Sequence, residues 1–429
     1  MKNVRWAGVL VITLAAALLQ ACGGSGDSTG SGSVRFINAT QSHPSLDLLS
    51  SSTKIISATA LDSTSAYVSQ TAGSTTLQAN DAGGSTSIAL ASAVIVKDLH
   101  YSVLAYEANG AVKLALLGED IAAPTAGSAQ LRVFDTASDA GALDVYVTAT
   151  NTDLSTVAGP TFTLSAASYA QSSSLVSFAP GTYRVRVTAA DNKADLRMDM
   201  PAVTLADQQV GTVVLTPTAG ANLVNGGWLL QQGSFSAARN TTARVRLVAA
   251  VSGGATVATS AGGTVIESGV ASPAVGAYGV VPAASALSVT VNGAAVSTAA
   301  LALTAGTDVT LLVHGTPAAA TASAIVDDNH LPSIATKLKM RLIHGVTGAV
   351  IGLTLNADFS VLATNIQPAH ASTAALLNGD GAMRVEVTSS VSQQSLYLQT
   401  DLNIPGSGVY TLFMLGDSAA PLGVLRTAR

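Results

Sequence analysis

Val34-Arg35-Phe36-Ile37, Leu131-Arg132-Val133-Phe134, Val245-Arg246-Leu247-Val248 and Met340-Arg341-Leu342-Ile343 share one pattern, an arginine set among apolar residues. The four arginines stand 97, 114 and 95 residues apart. A second element keeps the first of these offsets: Leu46-Asp47-Leu48 and Leu143-Asp144-Val145 are also 97 residues apart. A third closes each unit as an aliphatic strand, at Tyr101–Ala105, Gly211–Leu215, Val309–Val313 and Tyr410–Met414. Three elements recurring in one order mark four tandem copies of a single unit.

Within a copy the texture is strand and turn. After Pro180-Gly181, period two puts Tyr183, Val185 and Val187 on one face and Arg184 and Arg186 on the other. Met383, Val385 and Val387 oppose Arg384 and Glu386 in the same way, after the turn residues Asn378-Gly379-Asp380-Gly381. Leu287, Val289 and Val291 alternate with Ser288 and Thr290 before Asn292-Gly293, a hairpin signal. Helical periodicity is hard to find past the N-terminal segment. Short strands in units of roughly 100 residues predict an all-β fold of four tandem immunoglobulin-like antiparallel β-sandwiches. The copies are expected at residues 33–121, 129–230, 243–327 and 338–429, the third being the most divergent, with Thr256-Val257-Ala258 near the place of the Leu-Asp-Val element. Linkers are expected at Ala122–Ser128, Gln231–Thr242 and Asp328–Lys337.

Composition narrows the function classes. Of 429 residues, 48% are hydrophobic but 4% aromatic, and charged residues are 10%. The net charge of −5 argues against a nucleic-acid-binding surface. One cysteine excludes an intrachain disulfide framework and a thiolate-rich metal site. So few aromatics cannot build the two girdles of a transmembrane barrel.

Residues 1–21 read as an address. Lys2 and Arg5 precede the apolar run Trp6–Leu19, too short to span a bilayer comfortably. The run ends in Leu19-Gln20-Ala21-Cys22, which resembles the lipobox of bacterial lipoproteins. That resemblance implies a signal peptide cut before Cys22 and a cysteine acylated on sulfur and amino group. Two or three acyl chains anchor far more firmly than one. Gly23 after the cysteine, in place of an inner-membrane-retaining aspartate, implies by the same analogy the outer membrane if the source is Gram-negative. Residues 22–32, rich in Gly and Ser, read as a flexible tether.

The repeats themselves resemble the bacterial domain-of-unknown-function 4397 family, through Arg132, Asp135–Tyr146 and Pro180-Gly181-Thr182-Tyr183 in copy 2. Arg341, His344 and Tyr410–Gly416 carry it in copy 4, and Asp47 and Tyr101 in copy 1. The resemblance implies an immunoglobulin-like fold in envelope or secreted proteins and carries over no catalytic residue.

Candidate chemistry is sparse. The histidines (43, 100, 314, 330, 344 and 370) share neither ligand spacing nor repeat position, so no metal site is expected. Asp327-Asp328-Asn329-His330 is the best oxygen-ligand cluster, readable as a calcium joint but more simply as a solvated acidic linker. The repeated arginines could capture anionic ligands; the plainer expectation is an outer-face position paired with a local carboxylate. No Gly-x-Ser-x-Gly elbow, Walker loop or dinucleotide fingerprint occurs. No catalytic residue and no cofactor are expected, and Cys22 is the one site residue. The sequence therefore predicts a non-enzymatic, lipid-anchored envelope protein of four successive sandwiches with a structural, adhesive or protein-interaction role; it does not decide between an extended and a folded-back arrangement of the copies. The alternative is a glycan- or peptide-binding module, made less apt because Trp228 is the only tryptophan after the signal segment; an envelope hydrolase is the remote third.

Overall fold

The computed structural model describes residues 30–108, 110–165, 169–298, 301–348 and 352–429. Cys22, the signal segment and all but the last three residues of the tether lie outside them. Strands dominate, and the only helical pieces among the described residues are two short 3-10 turns at Ser138–Ala140 and Leu154–Thr156. Among the described residues no helix is long and apolar enough to cross a membrane.

Eight sheets form four sandwiches, one per copy. In copy 1, one sheet joins Ser31–Asn38 to His100–Ala108 and Ala111–Gly118, and the other joins Thr53–Ala60, Ser45–Ser50, Gly73–Asp81 and Ser87–Ile95 in that order. The interior holds Val34, Phe36, Leu46, Leu48, Leu77 and Val103. The alternation predicted at Val185 and Val187, at Val385 and Val387, and at Val289 and Val291 points each set into its own core. Copy 3 is a complete sandwich. Its strand Thr256–Ala261 pairs Val257 with Val291, supplying the element its sequence obscured.

One pairing in every copy is parallel. The arginine-bearing strand runs alongside the strand next to last: Arg35 lies opposite Ser102, Arg132 opposite Thr212, Arg246 opposite Thr310 and Arg341 opposite Thr411. The last strand then returns antiparallel, so that Gly118 lies beside Tyr101, near Val34. Copies 1, 3 and 4 thus begin and finish at the same pole; copy 2 does so up to Leu230, after which Phe235–Ala238 runs back to the opposite one.

The sandwiches are not strung in line. Copies 1 and 2 pack face against face through the outer sides of their arginine-bearing sheets. Ile37, Leu104, Tyr106 and Leu117 of copy 1 form a continuous cluster with Phe134, Val214 and Leu229 of copy 2. Copies 3 and 4 do the same, with Val248, Ala250 and Leu312 against Ile343, Phe413 and Leu415. The strands between are covered on both faces, so Val103–Tyr106 and Leu311–Val313 read as unbroken apolar runs rather than alternating ones.

The segment between the pairs differs from its reading as a linker. Phe235–Ala238 is a strand that pairs with Val224–Leu230 and extends copy 2's sheet. Phe235 enters the seam of the first pair, and Arg239 reaches back to the Asp62 carboxylate and the Thr40 carbonyl of copy 1. Similarly, the first strand begins at Ser31, inside the stretch read as tether.

Candidate functional site

The repeated arginines converge on the two seams. The parallel register sets a hydroxyl beside each, and every arginine donates from Nε to it: Arg35 to Ser102 Oγ at 2.8 Å, Arg132 to Thr212 Oγ1 at 3.0 Å, Arg246 to Thr310 Oγ1 at 2.8 Å, and Arg341 to Thr411 Oγ1 at 3.2 Å. Because the last strands of copies 1 and 3 come back to the same pole, the end of copy 1 brings Glu119 to Arg35 and the end of copy 3 brings Asp327 to Arg246. Both carboxylates are 1% exposed, and both of these arginines 2%.

In the first seam Arg35 Nη2 lies 2.8 and 2.7 Å from the two oxygens of Glu119. Glu119 also accepts from Tyr67 Oη at 2.6 Å and, across the seam, from the Gln232 backbone N–H at 2.6 Å. Arg35 donates to the copy 2 carbonyls of Gly233 and Leu230. Arg132 takes no carboxylate and donates to the Gly118 carbonyl at 2.7 Å. Burial lowers the Arg132 pKa, and the charge of Glu119 opposes that shift.

The second seam uses one carboxylate for both arginines. Asp327 accepts from Arg341 and lies 3.6 Å from Arg246, while taking Thr310 Oγ1 at 2.7 Å and the Tyr278 hydroxyl. The Arg246 guanidinium stands 4.5 Å from the Tyr278 ring centroid and 4.8 Å from that of Phe413 in copy 4. Burial, and then the adjacent Asp327 charge, raises the Tyr278 pKa; burial, and then the hydrogen bond to Glu119, does the same to Tyr67. Such enclosed, charge-assisted bonds are strong only while every partner is present.

Tyr67 and Tyr278 are 211 residues apart, Arg35 and Arg246 also 211, Arg132 and Arg341 209, and Glu119 and Asp327 208. These offsets agree better than those between single copies. The repeating structural unit is the pair. Sequence reasoning missed the tyrosines and the role of the carboxylates, although Glu119-Asp120 and Asp327-Asp328 close their copies at similar places.

The outer-face position of the arginines and the carboxylate partner for three of them match expectation. The enclosure of Arg35, Arg246 and Arg341 by a neighbouring copy does not, and it removes these three from reach of an anionic ligand; Arg132 is only half-buried. The acidic linker is likewise not solvated throughout. Asp327 is spent in the seam; Asp328 takes Lys339 Nζ at 2.8 Å; Asn329 donates to Asp308 at 2.6 Å; His330 lies 2.9 Å from Asp139 of copy 2. Four adjacent side chains that face four different partners do not form one coordination shell.

That linker belongs to a polar junction between the pairs. Asp308 Oδ2 also accepts from Arg244 Nη1 at 2.9 Å and from Asn222 Nδ2 of copy 2 at 2.8 Å. Burial raises the Asp308 carboxyl against the lowering pull of Arg244. Asn378–Gly381 is a turn, as predicted, with Asp380 at φ +61° accepting the Gly406 N–H at 3.1 Å.

The histidines remain scattered, His43 on Asp81 and His100 on Asp120 among them, and no metal-holding group occurs among the described residues. Trp228 packs against the core of copy 2, where Gly211 leaves room for its ring; a Cβ on Gly211 would lie 1.9 Å from a ring carbon. It offers no open stacking platform.

Comparison with known proteins agrees with the repeat reading at the N-terminal end. Residues 32–146, copy 1 and the opening of copy 2, match the family described as Domain of unknown function (DUF4397). No curated protein matches the chain. Among solved structures, a candidate cell adhesion protein from Bacteroides uniformis aligns at 13% identity over 48% of this chain and 99% of its own, with a TM-score of 0.22. Another from Bacteroides ovatus aligns at 10% identity over 71% of this chain and 97% of its own, with a TM-score of 0.13. The Bacillus anthracis TIE protein aligns at 8% identity over 91% of this chain and 68% of its own, with a TM-score of 0.14.

Proposed function

We propose that the chain is a non-enzymatic protein of the bacterial cell envelope, anchored through acylated Cys22, whose role is structural, adhesive or protein-interacting. The observation that carries this reading is where the buried ionic chemistry is spent. The repeated arginines, two carboxylates and two tyrosines lock sandwich to sandwich, which makes rigid blocks of what would otherwise be four beads. Rigid blocks on a lipid anchor suit a protein that presents surfaces to neighbours, with contacts made by loops and sheet edges.

Protease shaving of intact cells, beside a Cys22→Ser variant and a lysed control, tests both halves of the proposal. Membrane-bound parent with soluble Cys22→Ser is the expected result, and parent that stays soluble overturns the anchor. Removal of the repeats from intact cells supports an outward, adhesive role. Protection until lysis overturns that role and leaves a periplasmic scaffold.

A further inference from the structure

Each copy's second sheet ends in a free edge strand, and the four edges are not alike. Asn192–Leu205 in copy 2 carries Lys193, Asp195, Arg197, Asp199 and Pro201. The edge in copy 3, Ala294–Val296, is three residues long. In copy 4, Ser395–Ile404 is broken by register shifts and by Asp401 at φ +56°. Charge, proline, brevity and irregularity are the ordinary devices that stop an edge from recruiting another strand.

Ser87–Ile95 in copy 1 has neither charge nor proline, and its one irregularity is a register shift at Ile88, near its start. It is nine residues long. It pairs only with Gly73–Asp81; Ala111–Gly118 lies beside it in the facing sheet without a backbone pairing. Its outward side chains include Leu90 at 63% exposure and Val94 at 60%, and Val96 just beyond the strand is 48% exposed.

We infer that this strand is an interface for a second copy of the chain, two such strands pairing antiparallel about a two-fold axis at Ser92. The pattern is self-complementary about that residue. Leu90 falls opposite Val94 and Ser92 opposite itself, while on the inner side Ala91 faces Ala93 and Ala89 faces Ile95; Ile88, at the register shift, packs on the core and takes no part. Apolar pairs thus meet apolar pairs, the central hydroxyls can bond, and Lys97 falls opposite Ser87, so no like charges meet. The contact is isologous and closed, giving a dimer rather than a fibre, with two four-stranded sheets merged into one of eight.

Sedimentation of the intact protein in detergent, in a Cys22→Ser background that removes the native thiol, tests the interface. The expected result is a reversible dimer that Leu90→Lys with Val94→Lys weakens on the order of a hundredfold, because each lysine then opposes another. Both substitutions sit on exposed positions, and an unchanged melting temperature shows the variant folded. Independently, Ser92→Cys in the same background should give one covalent dimer on mild oxidation, whereas Ser288→Cys, exposed on the corresponding sheet of copy 3, should not. If the lysine variant unfolds, the cysteine pair decides. A monomer at every concentration, a dimer indifferent to the lysines, or equal crosslinking at positions 92 and 288 overturns the proposal.

Discussion

The first pair and the second pair close equivalent seams with differently distributed chemistry. In the first, Glu119 serves one arginine directly, and backbone groups of copy 2 do the rest, through Gln232 N–H and the Gly233 and Leu230 carbonyls. A further strand, Phe235–Ala238, then covers the seam. In the second, Asp327 accepts from Arg341, a tyrosine and a threonine and lies in ion-pair reach of Arg246 as well. One seam spreads its polar contacts along the backbone; the other concentrates them on one carboxylate. The second seam is therefore more exposed to a single substitution.

The sharpest way to break this contrast is Asp327→Asn beside Glu119→Gln. Removing one member of a buried charge pair costs about 3–5 kcal/mol. Asp327→Asn is expected at the upper end, since Arg246 and Arg341 both lose their anion. Glu119→Gln is expected nearer the lower end, because the Arg35 contacts to Ser102, Gly233 and Leu230 survive it. Chemical denaturation of both variants checks the order, and equal losses would end the contrast. Phe235→Ala comes next, with a loss of about 3 kcal/mol expected. Pulsed proteolysis should show that loss confined to copies 1 and 2; a loss shared by copies 3 and 4 would mean that the covering strand is not specific to its seam.

Asp135 sharpens the comparison through pH. Burial raises its carboxyl pKa to about 6, with the Ala137 N–H pulling the other way. A raised carboxyl pKa means that the fold binds this proton more tightly than the unfolded chain does. Its contribution is fully present below about pH 4 and is lost as pH rises through about 6. Asp135→Asn should therefore stabilise copy 2 by about 2 kcal/mol at pH 8 and have little effect at pH 4, as read from melting temperatures across that range. The smallest effects should come from Tyr67→Phe and Tyr278→Phe, each about 1–2 kcal/mol for a hydrogen bond to a buried carboxylate. A clearly larger loss at Tyr278 would sharpen the picture of Asp327 as the more crowded acceptor.

Four copies, their strand texture and the inward faces of Val185, Val289 and Val385 were legible because period two is written in neighbouring residues. Arginine spacing was legible too, since one residue type recurs. The seam was not. Its apolar half lies in runs such as Val103–Tyr106, where burial on both faces erases the alternation that would have shown a second covered side. Its ionic half joins residues 84 positions apart in Arg35–Glu119 and pairs a longer carboxylate in one seam with a shorter one in the other. Phe235–Ala238 escaped for a third reason: its neighbours are polar and glycine-bearing, and only pairing with Val224–Leu230 makes it a strand.

That copies 1, 3 and 4 begin and finish at one pole also decides how they carry mechanical load. Pulled by its two ends, a sandwich of this topology is gripped at one end of its strands, so its opening strand is peeled one backbone bond at a time rather than sheared along its length. Peeling needs little force. In copies 1 and 3 the carboxylate ends of the arginine knots, Glu119 and Asp327, stand at that pole where the last strand leaves the sheet, and there they act as rivets: that strand should begin to peel only after its knot has failed.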